Sequence, residues 1–250
     1  MRFHFYSPRA LEPWDWRNPD ATGIGNSETS HIEMALRLVK RGHEVTSYTR
    51  LAGLDDREPG IPSGAYPAHV HGGVTWKDEP EADFAQPGIW VLYRCPEVIE
   101  QFHHHSRAEQ QVWLVVQDTY FVLTDPQAAM VDRVLCLCEA QAKKQREVSP
   151  NCADKVVVTS NGIRVDMIED EEEKWRHNNR HNRQQQLVRN PYRIHFSSSP
   201  DRGLPVLLEK IFPRAKEYVP ELELHIYYGF DNIEKLLKQG DEAAQERARK

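Results

Sequence analysis

A chain of 250 residues, 39% of them hydrophobic, has enough apolar material for one large domain or two small ones. Its formal net charge of -6 excludes a general nucleic-acid binder, because neutralising phosphates needs a basic surface and the Lys and Arg residues here are scattered. No leader pattern opens the chain, and no apolar run approaches the roughly 20 residues of a membrane span, so a cytoplasmic protein is expected, with peripheral membrane contact left open.

The elements follow in order. Arg2 to Tyr6 is a strand in which Phe3 and Phe5 alternate with polar neighbours, and Ser7 to Thr22 is a long loop rich in Pro, Asp and Trp. Next comes Gly23 to Thr49, GIGNSETSHIEMALRLVKRGHEVTSYT, a glycine-punctuated turn, an amphipathic helix and a β-branched strand. Ile32, Ala35, Leu36 and Val39 recur at helical steps, Asn26 or Ser27 is placed to cap the first turn, and Gly42 to supply the left-handed stop. Gly23 and Gly25 let the backbone approach an anion, and the helix start behind them offers free amides, so phosphate binding competes with an ordinary strand-to-helix turn. Glu28 stands where a dinucleotide fingerprint would have its third glycine.

Leu51 to Pro87 reads as loops around one minor strand near His69 to Val74. Ile89 to Tyr93 and Val112 to Gln117 are buried strands flanking a helical stretch, Glu97 to Gln110. Arg133 to Leu137 and Lys155 to Thr159 are further strands around a helix, Glu139 to Val148. This alternation predicts a parallel sheet with helices on both faces and ligands at the carboxyl ends of the strands. Residues 169–190 are a charged, amide-rich linker. A fresh unit follows: the strand Arg193 to Phe196, a turn, the helix Leu204 to Tyr218, the strand Leu222 to Tyr227 and a polar helix from Asn232. The division expected is a first domain over 1–168, the linker, and a partial second domain over 191–250.

Cys95, Cys136, Cys138 and Cys152 lack zinc-type spacing and read as free thiols, with Cys136 and Cys138 on one face of a strand. His103, His104 and His105 are consecutive and fan around a helical turn, so they cannot share one metal; His69 and His71 share a strand face without a third ligand. No metal site is expected. Trp14 and Trp16, in the long first loop, either stack on a sugar ring or pin the loop. Arg94 and the pair Gln117-Asp118 end adjacent strands. Arg94 either holds an anion or forms a surface ion pair, and Asp118 either serves a ligand or caps a turn.

The run from Gly23 to Thr49 resembles the N-terminal glycine loop, helix and second strand of family 4 retaining glycosyltransferases of the GT-B fold, usually Gly-Gly-Ser-Glu followed by Arg-Gly-His-Glu-Val. Asn26 replaces the second glycine. Val131 to Glu139 resembles the family's strand ending in Ser-Glu, with Cys138 for serine. Lys155 to Asp166 resembles its Asn-Gly-Ile/Val-Asp signature, interrupted by Arg164 and Val165. Phe196 to Leu208, FSSSPDRGLPVLL, resembles the start of the nucleotide-sugar domain in the subgroup with Ser-Ser-Pro-Asp-Arg-Gly-Leu.

The resemblance implies an α/β fold of the GT-B type: one complete Rossmann-like domain of parallel strands plus the start of a second. It implies transfer of a sugar from a nucleotide diphosphate sugar to a glycan, lipid or small-molecule acceptor with retention, and no cofactor. Donor-phosphate contacts would come from Gly23, Gly25, Asn26, Ser198, Arg202 and Gly203, with Arg202 otherwise pairing Asp201. Acceptor-side contacts would come from Trp14, Trp16, Arg94 and Gln117. Asp118 would orient the acceptor hydroxyl or balance charge at the reactive carbon, and Gln117 stands where the subgroup shows His. Helix starts from the two halves would grip one diphosphate. No segment after Tyr228-Gly229 corresponds to the family's paired glutamates, so a C-terminally incomplete chain of weak or no activity is expected. A non-catalytic binding or assembly module is the alternative. A nucleotide-dependent oxidoreductase is disfavoured by the incomplete glycine fingerprint.

Overall fold

The computed structural model describes residues 1–10, 13–18, 24–51, 68–104, 109–118, 122–162, 164–165, 168–169, 190–198 and 200–227. The chain divides into two compact units, Met1–Arg164 and Val165–Lys250.

The first unit is built on an eight-stranded sheet. Its strands are β1 (Arg2–Ser7), β2 (Glu44–Thr49), β3 (His69–His71), β4 (Val74–Asp78), β5 (Gly88–Tyr93), β6 (Gln110–Val116), β7 (Arg133–Cys136) and β8 (Val156–Val158), in spatial order β3-β4-β2-β1-β5-β6-β7-β8. All neighbouring pairs are parallel except β3 with β4. The α/β class is therefore observed, as a doubly wound, Rossmann-like sheet. From β1 the chain winds to one side through β2 and β4, then crosses back to lay β5 against the other side of β1. Right-handed crossovers running in opposite directions put their helices on opposite faces. Helix α1 (Asn26–Lys40) accordingly packs Ile32 and Ala35 with Phe3, Phe5, Val45, Val91 and Tyr93. On the other face α2 (Asp125–Met130), α3 (Glu139–Val148) and a 3-10 stretch, Pro96–His104, cover Trp90, Leu92, Leu114 and Val134.

Burial on both faces explains why β1 does not show the half-exposed pattern its sequence suggests. His4 is as buried as Phe3 and Phe5, stacked on Trp90 at 4.5 Å between ring centroids, with a 3.2 Å contact from its Nε2 to the Pro87 carbonyl. Several expectations are corrected. The minor strand near His69 is a hairpin: Gly72 and Gly73, at φ 58° and 80°, make the two left-handed steps that turn antiparallel β3 into β4. The Glu97 to Gln110 stretch is 3-10 rather than α over Pro96–His104, and Gln110 already belongs to β6. Helix α2 has no counterpart among the elements expected from sequence, although Thr124 and Gln127 form a capping box with Pro126 in the first turn. Strand β7 ends at Cys136, so Cys138 is not its face-mate: Cys136 is buried and Cys138 is the exposed N-cap of α3.

In the second unit β9 (Arg193–Phe196) and β10 (Glu223–Ile226) pair in parallel. Between them a 3-10 turn, Pro200–Arg202, leads to α4, made of Leu204–Val206, a π-helical turn Leu207–Ile211, and Phe212–Tyr218. The continuous helix expected there is interrupted because Pro213 has no amide to donate and its ring crowds the carbonyl four residues back, at Glu209. The polar helix expected from Asn232 lies outside the described residues.

Candidate functional site

The winding reverses between β1 and β5, and the crevice outside the carboxyl ends of the strands at such a switch point is where open α/β sheets take ligands. Three sequence-predicted site residues, Arg94, Gln117 and Asp118, meet there, joined by Ser27. Gln117 and Asp118 follow β6, Arg94 follows β5, and the α1 start at Gly25-Asn26-Ser27 brings Ser27 into contact with both.

Arg94 adopts φ 59°, the left-handed region that non-glycine residues rarely enter, while its amide keeps a 3.2 Å bond to the Val115 carbonyl. That bend ends β5 and carries the guanidinium across to β6. Its Nε donates to Asp118 Oδ2 at 2.8 Å, and its Nη1 donates to Ser27 Oγ at 3.4 Å. Ser27 in turn donates to Gln117 Oε1. The Arg94–Asp118 ion pair is about a quarter to a third exposed, so it faces the crevice without being free in solvent. Gln141, in the first turn of α3, secures the far side: its Nε2 donates to the Asp118 carbonyl at 3.3 Å, and its Oε1 accepts from the Leu137 amide at 2.6 Å. Gln117 Nε2 is buried and makes no hydrogen bond among the described residues, an amide donor facing inward without an acceptor.

Glu28, on the first turn of α1, was not singled out from sequence as a site residue. It is only 8% exposed, and burial raises its carboxyl pKa; its own backbone amide and then Arg94 pull the other way, and Asp118 pushes it up again. Its Oε2 lies so close over Gly25 that a Cβ there would stand 2.3 Å from it. At Gly25 the backbone itself does not require glycine. Its φ of -62° is open to any residue, but the space over its α-carbon belongs to Glu28. Gly25 is also the N-cap, with no side-chain cap bond, and Asn26 is the first helical residue, exposed, so neither Asn26 nor Ser27 caps the helix. Nothing local in the sequence signals that Glu28 is buried. A carboxylate one turn into an amphipathic helix ordinarily favours the helix dipole from solvent.

Gly23 lies outside the described residues. Trp14 is 1% exposed and sits in an aromatic cage around His31 with Phe5, Trp76 and Tyr93, so its ring has no face left for a sugar and pins the loop instead. The loop is also zipped to the end of β2, by Trp14 N to the Arg50 carbonyl at 3.0 Å and Thr49 Oγ1 to the Trp14 carbonyl at 3.1 Å. Trp16 is half-buried, stacked on His71 at 4.8 Å and edge-on to His69, which shows that both histidines do share one face of β3. In the second unit Ser198 is half-buried and Arg202 exposed. Gly203, at φ 104°, makes the left-handed step that starts α4; a Cβ there would meet nothing, so glycine is demanded by the backbone alone. Among the described residues, no three His, Cys, Asp or Glu side chains are grouped to hold a metal ion, and no helix is long and apolar enough to cross a membrane.

No protein-family model matches the sequence, and no curated protein matches it. Among solved structures the chain is similar to Anabaena HepE in complex with UDP and glucose, at 13% identity and a TM-score of 0.48, covering 97% of this chain and 67% of that one. A second structure of the same protein, in complex with UDP-glucose, matches at 13% identity and a TM-score of 0.45, over 94% of this chain and 71% of that one.

Proposed function

We propose that this protein is a glycosyltransferase that moves a sugar from a nucleotide diphosphate sugar to an acceptor with retention, its first unit taking the acceptor. The observation that carries the reading is the linked cluster at the switch point of the sheet. Arg94, Asp118, Ser27 and Gln117 come from three separate segments, and two of those segments carry the resemblance to family 4 enzymes. In this reading Asp118, with one oxygen taken by Arg94, accepts a bond from the acceptor hydroxyl through the other. Arg94 is a donor for the oxygens of a bound sugar or phosphate, and Gln117 lines the acceptor side through its bond from Ser27. Gly23, Gly25 and Asn26 belong to the donor-phosphate side of the first unit. Ser198, Arg202 and Gly203 play that part in the second, where a guanidinium at a helix start supplies forked donors. Trp16 keeps an acceptor-side role through its partly open ring.

Thermal unfolding with UDP-, GDP- and ADP-glucose and with NAD tests the proposal, followed by donor hydrolysis and transfer assays on the ligand that binds. A ligand at a hundred times its Kd stabilises the native state by about 2.7 kcal/mol. A shift with one nucleotide sugar, absent with NAD and reduced by Arg202→Ala, is the expected result. A shift with NAD alone would replace the reading with an oxidoreductase.

A further inference from the structure

Glu28 is a buried carboxylate that the proposed reaction does not use, yet it belongs to the same cluster. The charged groups facing it are Arg94 at the end of β5 and Asp118 at the end of β6. On its own helix, His31 is turned into the aromatic cage, and Glu33 is engaged by Arg37 and, at 3.8 Å, by Arg164. One guanidinium therefore serves two carboxylates, and the geometry assigns it to Asp118: the 2.8 Å bond from Arg94 goes there, and no bond from Arg94 to Glu28 forms. Glu28 instead lies folded over Gly25, at the amide-rich mouth of α1. A negative ligand in the crevice would have to sit beside this carboxylate. In the same cluster, Gln117 Nε2 is a buried donor without a hydrogen-bond partner among the described residues.

We propose that Glu28 is the proton-carrying member of the cluster: an anionic ligand binds beside it with Glu28 as the neutral acid, so that binding takes up one proton at Glu28. The proton comes from solvent and is returned when the ligand leaves. Glu28 is thus a positioning residue that sets the charge state in which the crevice accepts an anion, which deepens the nucleotide-sugar reading and rests on it. Burial, which raises the Glu28 pKa, agrees with this, and a neighbouring negative ligand raises it further. The sign follows: ionised Glu28 opposes the ligand, so affinity falls as pH rises.

The test is calorimetric titration with whichever of UDP-, GDP- or ADP-glucose binds, from pH 5 to 8, in buffers of different ionisation heat. The diphosphate of these ligands does not itself change protonation in that window. The wild-type protein should take up a proton on binding and lose affinity with rising pH, by as much as about tenfold per pH unit where Glu28 is ionised in the free protein and protonated in the complex. Glu28→Gln should take up no proton, show a flat profile and bind more tightly than wild type at pH 8. Infrared difference spectra of ligand binding should show a protonated-carboxyl band in wild type that is missing in Glu28→Gln. Proton uptake unchanged in Glu28→Gln, or ligand binding by wild type with neither uptake nor the band, would overturn the proposal and leave the nucleotide-sugar reading standing. If none of the three ligands binds, both fall together.

Discussion

Both units use the same local sequence grammar, a strand, a turn, a helix start and a parallel strand, and they seal it to very different degrees. In the first, β1 and β2 sit inside eight strands with apolar layers on both faces, and Phe5, Trp90 and Leu92 are wholly buried. In the second, among the described residues, only two strands pair, Ile194 and Ile226 are 36% and 43% exposed, and the buried apolar side chains are Pro200, Leu204 and Leu222. A pattern of alternating elements specifies local structure. Closure depends on how many neighbours each strand has, because a parallel sheet needs both faces covered and two strands cannot supply that by themselves.

The contrast can be broken by mutation. Trp90→Ala should cost the first unit about 3–5 kcal/mol in urea unfolding, since the indole is enclosed by His4, Tyr48, Phe84 and Phe102. Leu204→Ala, the deepest comparable truncation in the second unit, should cost about 2 kcal/mol, the low end for leucine, because shallow sites collapse more fully. Equal costs would remove the distinction drawn here.

Acid sharpens the comparison further. His31 is fully buried, and burial lowers its pKa from 6.5 to about 3, so the folded protein holds it neutral where the unfolded chain binds a proton. Between pH 6.5 and 3 the unfolded state therefore gains protons, and stability falls as pH falls through that window. Amide exchange should show the first unit losing protection on acidification, and His31→Gln should flatten this dependence. The smallest effect belongs to the second unit's surface. Glu223 pairs with Arg193 at 2.9 Å in the open, and Glu223→Gln should leave the unfolding midpoint unchanged in a thermal melt.

Much of the frame was legible because it rests on local chemistry. The periodicity of Ile32, Ala35 and Val39 marked α1, Gly42 at φ 82° is its left-handed stop, and α3 and β9 occupy the predicted residues. The meeting of Arg94 with Gln117-Asp118 was also readable, since residues after adjacent parallel strands must lie side by side. What escaped depends on contacts far apart in sequence. The pairing of β3 and β4 tucks their glycine turn beneath α1, where a Cβ on Gly72 would lie 2.4 Å from Leu36. The sealing of Trp14 needed His31 and Trp76, and the burial of Glu28 needed the ends of β5 and β6. The α2 signal, Thr124-Asp125-Pro126-Gln127, is local, but the helix it opens is only 6 residues long, too short to show an apolar period.

The backbone at Arg94 joins two demands in one residue. Glycine or asparagine would relax the bend and surrender the cation. Lysine would preserve the charge but endure the same contortion, with a single ammonium where the planar fork now reaches Asp118 and Ser27 together. Position 94 thus has almost no harmless replacements, and the tolerance of the whole crevice to change is set by the least substitutable side chain in it.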